Sequence, residues 1–186
     1  MTFKFGAMRD GAFVAHIYPN VFQHQQTGGG PRLGAALAEG HCDLLIALAR
    51  ELSGPFAILA IVHTSRIGQE GRHQSPPLKF ADVERFVAEF RTFLEGDARL
   101  DLWIRSRADH GLLVYDRHNM IYAYGPLDSI EQILRARGLS PGEIETPEPH
   151  SHNYHAAHDG DEERLLRRFD WRKTPLRPED RQVPPQ

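Results

Sequence analysis

Between Ala98 and Gly125 the chain alternates apolar and polar residues in three successive runs, and this period of two constrains the fold more than any other feature. Arg99 to Arg105, Gly111 to Tyr115 and Met120 to Tyr124 read as strands joined by two short polar loops, Ser106 to His110 and Asp116 to Asn119. Closed as antiparallel hairpins with Arg105 opposite Gly111 and Tyr115 opposite Met120, they gather Leu100, Leu102, Ile104, Leu112, Val114, Ile121 and Ala123 on one face. An aliphatic face of this kind calls for a helical cover. The opposite face carries Asp101, Trp103, Arg105, Leu113, Tyr115, Met120, Tyr122 and Tyr124, rings with polar handles in place of plain aliphatics.

The flanking sequence supplies that cover. Leu44, Leu45, Leu48 and Leu52 recur at helical spacing, with Asp43 near the positive end of the helix and Ser53-Gly54-Pro55 as a stop. Phe56 to Val62 is apolar at every position, as in a strand covered on both faces. Phe80, Val83, Phe86, Val87, Phe90, Phe93 and Leu94 mark one amphipathic helix, and Leu127, Ile130, Ile133 and Leu134 another that ends at Gly138. A last helix is expected from Asp161 to Phe169, acidic at its start and basic at its end.

These elements predict one α+β domain over residues 41–170, an antiparallel sheet of four to five strands that includes the three-strand meander, backed by helices. Residues 1–40 read as an irregular N-terminal segment with one short strand at Ala12 to Tyr18. Gly28-Gly29-Gly30 lacks the Lys-Ser/Thr of a phosphate loop and reads as a linker. Residues 171–186 form a proline-rich extended tail.

Charge narrows the classes of partner. With 22 basic and 25 acidic residues the net charge is −3, which gives no general pull toward nucleic acid or anionic lipid. Cys42 is the single cysteine, so neither an intrachain disulfide nor a cysteine-based zinc ribbon can form. The absence of a signal-peptide pattern, together with apolar runs too short to span a bilayer, gives a cytoplasmic expectation with no membrane partner.

Two features carry the functional expectations. Trp103, Arg105, Tyr115, Met120, Tyr122 and Tyr124 are residue types enriched at interface hot spots, so the mixed face suits an unidentified protein partner or self-association. The competing reading covers that face with the N-terminal segment or with the C-terminal tail, through Trp171 and Leu176. The second feature is His150, His152, His155 and His158. In an extended segment His150 and His152 point the same way, and a following turn draws His155 toward His158. Imidazoles gathered in this way suit zinc or nickel, although histidine-rich loops also occur simply solvated. Asp116 and Asn119 are explained by the turn they make, which leaves His118 without an assigned role. No catalytic residue is assigned. The sequence therefore predicts a binding or interaction module, with a histidine-ligated divalent-metal protein, hydrolytic in chemistry, as the alternative.

Overall fold

The structure, a computed structural model, describes residues 3–180. The N-terminal part comprises β1 (Phe5–Arg9), β2 (Ala12–Ala15), β3 (Val21–Thr27), β4 (Gly30–Ala36) and α1 (His41–Ala49). The middle comprises β5 (Phe56–Val62), β6 (Gly71–Gln74), α2 (Phe80–Glu89), α3 (Arg91–Gly96), β7 (Leu100–Ser106), β8 (Leu112–Tyr115) and β9 (Met120–Tyr124). There follow α4 (Leu127–Ala136), β10 (Ser140–Pro141), β11 (His150–His152), α5 (Asp159–Arg167) and β12 (Arg172–Thr174). Among the described residues no helix is long and apolar enough to cross a membrane.

The class is α+β, with a larger sheet than expected. Among the described residues nine strands run in the order β10-β3-β4-β9-β8-β7-β5-β6-β12, and a separate three-stranded sheet runs β11-β1-β2. Every pairing is antiparallel except that of β10 with β3. The extra strands come largely from residues 5–36, expected to be irregular. Their apolar alternation is weak because β3 carries Gln23, His24, Gln25 and Gln26 and lies near the sheet edge. The triple glycine is the tip of the β3–β4 hairpin, not a linker. Thr27 pairs with Gly30, and Gly30 has φ 107°, a conformation that disfavours any side chain. Of the proline-rich tail, Arg172–Thr174 adds the edge strand beside β6, and residues 181–186 lie outside the described residues.

The meander forms, with its middle strand turned over. Arg105 pairs with Leu112 and Tyr115 with Ile121, one step from the expected register at each hairpin. A one-residue slip exchanges the two faces of a strand. Leu113 and Tyr115 consequently enter the helix-covered core with Leu102, Ile104, Ile121 and Ala123, while Leu112 and Val114 turn to the mixed face. The tighter loops explain the slip. Ser106 N–H donates to Gly111 C=O, and the Ser106 hydroxyl accepts from the N–H groups of Ala108 and Asp109, so Ser106 and Gly111 belong to the ladder. A side chain at Gly111 would meet Leu52 at 2.4 Å.

Helices α1 to α5 supply apolar residues to one face of the large sheet: Leu44 and Leu48 from α1, Phe86 from α2, Phe93 from α3, Ile130 from α4 and Leu165 from α5. The expected helix from Phe80 to Leu94 is divided at Phe90. A second, smaller core of Phe5, Tyr18, Ala36 and Met120 lies where the N-terminal sheet covers the mixed face at β4 and β9.

Candidate metal centre

Pairing of β1 with β11 builds the site. Phe5 lies opposite His152 and Ala7 opposite His150, which fixes the histidine-rich segment as a strand at the edge of the small sheet. Residues two apart on a strand share a face, so the imidazoles of His150 and His152 stand side by side with ring centroids 5.2 Å apart. The β8–β9 hairpin delivers the third ring. His118 lies 4.7 Å from His152 and 5.4 Å from His150, centroid to centroid. One ring nitrogen from each of the three lies within 4.8 Å of the other two. Phe5 packs against all three rings, at centroid distances of 5.5, 5.2 and 5.8 Å.

The β8–β9 loop serves both as a turn and as a support for an imidazole. Asp116 Oδ1 accepts from the N–H groups of His118 and Met120, and Asn119 takes φ 67°, which accounts for the turn. Oδ2 of the same carboxylate lies 3.0 Å from His118 Nδ1. A carboxylate at Nδ1 draws the ring proton there and leaves the lone pair on Nε2, the usual support for a metal-ligating imidazole. His150 Nδ1 lies 3.1 Å from the carbonyl oxygen of Pro147 and 3.1 Å from Glu148 Oε1, which sets the same tautomer. His152 Nε2 is buried with no hydrogen-bond partner among the described residues. Burial, followed by the neighbouring charges of His118, Arg117 and His150, lowers the His152 pKa to about 3. His152 is therefore neutral at physiological pH, the form that ligates metal.

His155 and His158 do not join this group. His155 Nε2 lies 3.0 Å from the Phe3 carbonyl oxygen, and His158 Nδ1 lies 2.7 Å from Asp161 Oδ2. Both border a buried ion network centred on Arg99, which is fully enclosed. Its guanidinium reaches Asp97 at 2.9 and 3.0 Å, Glu162 at 2.5 Å, Asp159 at 3.1 Å and the His155 carbonyl at 2.9 Å. Burial alone would lower the Arg99 pKa, but the bonds from Asp97 and Glu162 hold it above its ordinary value. The network fastens α5 to the sheet and has the saturated pairing expected of a structural element.

The expected partner surface divides into four parts. Tyr115 is fully buried in the helix-side core, its hydroxyl donating to Asn119 Oδ1 at 2.6 Å. Met120 belongs to the small core under the N-terminal sheet. Tyr122 and Tyr124 are half-buried beside Arg32, whose guanidinium lies 4.0 Å from the centre of the Tyr122 ring and donates to the Tyr124 hydroxyl. Trp103 is half-buried and Arg105 exposed on the remaining open part of the face.

Sequence reasoning assigned His118 no ligand role because its partners lie far along the chain. The Asp116-x-His118 spacing was the available local signal, since it lets one carboxylate reach an imidazole two residues away. Comparison with known proteins supplies no further guide: no family model, no curated protein and no solved structure matches this chain.

Proposed function

We propose that this chain is a divalent-metal protein whose centre is formed by His118, His150 and His152. The observation that carries the proposal is the convergence of three imidazole nitrogens within 4.8 Å from segments 32 residues apart (150 − 118). The unpartnered Nε2 of His152 adds to it, because a buried nitrogen without a partner is costly unless a ligand engages it. Three imidazoles fit zinc, nickel or copper better than calcium or magnesium, which take oxygen ligands.

Three protein ligands leave a coordination position for water or substrate, the pattern of catalytic sites, whereas structural zinc sites use four. An ion held in this way acidifies bound water, the chemistry of metal-dependent hydrolysis. The side chains of His118 and His150 are 21% and 17% exposed, so solvent reaches the group. Asp116 acts as a positioning residue that holds the His118 ring through Nδ1.

Elemental analysis of untagged protein, with zinc or cobalt titration of the metal-stripped chain, tests this reading. One ion per chain is expected, together with a cobalt absorption spectrum typical of a low-coordinate nitrogen site. A His118→Ala, His150→Ala, His152→Ala variant that stays folded and binds metal as the parent does would overturn the assignment.

A further inference from the structure

At the other end of β8 from His118, the open part of the mixed face forms a groove of about 470 Å³, none of whose lining residues belongs to the histidine cluster. Its lining includes four guanidinium side chains, Arg72, Arg105, Arg107 and Arg177, and it also includes His110, Trp103 and no carboxylate. The local excess of positive charge stands out on a chain of net charge −3.

The four arginines are not equivalent. Arg72 is buried and held by Asp180 at 2.6 Å, with its guanidinium 5.6 Å from the centre of the Trp103 ring. It forms a neutralised wall. Arg177 lies 3.7 Å from the exposed Glu179, a pairing that solvent weakens. Arg105 and Arg107 are exposed, and neither guanidinium has an ion pair or hydrogen bond among the described residues. Strand geometry puts Arg105 on the same face as Trp103, two residues away, and opposite Leu112 on β8. The indole N–H of Trp103 is buried and has no acceptor among the described residues. The groove thus combines unpaired cationic forks with an aromatic surface flanked by Leu59 and Leu112.

Arg105 and Arg107 line the same groove without a carboxylate partner, and an anion between them would offset their like charges. Their planar forks match phosphate oxygens in pairs, while an indole face favours a flat ring. We propose that this groove binds a small phosphomonoester that carries a flat ring, with Arg105 and Arg107 on the phosphate and Trp103 against the ring. The proposal does not depend on the histidine centre.

Adenosine 5′-monophosphate serves as the probe, read by Trp103 fluorescence in a Trp171→Phe background and independently by calorimetry on the unmodified chain. Saturable binding is expected that weakens as salt is raised, with adenosine and inorganic phosphate each binding at least about tenfold more weakly. An Arg105→Gln, Arg107→Gln variant should lose about tenfold or more in affinity while keeping its thermal midpoint, since both side chains are exposed. Equal affinity for adenosine and its monophosphate would overturn the proposal, as would undiminished binding by the double variant. Tighter binding of a single-stranded oligonucleotide than of the mononucleotide would also overturn it, in favour of a nucleic-acid surface.

Discussion

The histidine run from residue 150 to 158 splits into two halves that share a residue type and differ in what surrounds it. His155 and His158 each meet a protein oxygen and sit against the carboxylates that enclose Arg99. His150 and His152 face each other and His118, and one of their nitrogens is buried with no partner. A cluster of imidazoles therefore acquires chemical potential from incomplete pairing, and proximity alone does not supply it. The saturated half fastens α5 to the sheet. The unsaturated half is the one proposed to hold an ion.

The largest effect that would sharpen this contrast lies in the saturated half. Arg99→Met leaves Asp97 and Glu162 buried without their cation and should cost about 3 to 5 kcal/mol in denaturant unfolding. A loss below about 1 kcal/mol would mean that the network is not closed as described.

The unsaturated half should respond to metal instead. Zinc at a hundred times its dissociation constant should stabilise the parent by about 2.7 kcal/mol, read as a rise in thermal midpoint. The gain should disappear in His152→Ala and persist in a His155→Ala, His158→Ala variant. It should also fade as pH falls toward about 3, where His152 gains a proton. If the second variant loses the response and the first keeps it, the assignment of the two halves is reversed.

Lys4, one residue before Phe5, tests the same principle on a cation. It is buried, donates to the Leu94 carbonyl at 3.1 Å and lies 3.7 Å from the centre of the Tyr115 ring. Burial lowers its pKa to about 8, partly offset by Asp116 and Asp101. Because the folded value lies below the unfolded one, the unfolded chain binds more protons between them, and stability from this group rises as pH increases through about 8. The stability of the parent minus that of Lys4→Met should therefore grow by about 1 kcal/mol between pH 7.5 and pH 9. Taking the difference removes Cys42, whose pKa burial raises and which works in the opposite direction above its unfolded value. A flat difference would show that Lys4 is solvated.

The smallest effect is expected for Asp161→Asn, which weakens a partly exposed pair with His158 and should cost about 0.5 kcal/mol without altering zinc binding. Loss of zinc binding in this variant would extend the centre beyond the three rings.

Local pattern revealed what depends on local pattern. Leu44, Leu48, Phe86 and Ile130 face the core as helical spacing predicts, and His150 and His152 share a face as an extended segment requires. Register was legible only to within one residue, since Ser106 and Asp116 extend the ladders by side-chain and backbone bonds that alternation does not encode. That single step moved Tyr115 from an expected surface to the core. β3 is polar because it lies near the sheet edge, and the Arg105–Arg107 groove gathers Arg72, Trp103 and Arg177 across long stretches of chain, for which no periodicity speaks.

The opposition of Phe5 and His152 has a consequence for the order in which the molecule is completed. A separation of 147 residues (152 − 5) lies between the two, so closing that loop is entropically late work compared with forming the hairpins of the meander. His118 precedes its two companions in the chain, and the three rings can meet only once the segment at His150–His152 has returned to β1. An ion captured there would act as a clasp on that late pairing.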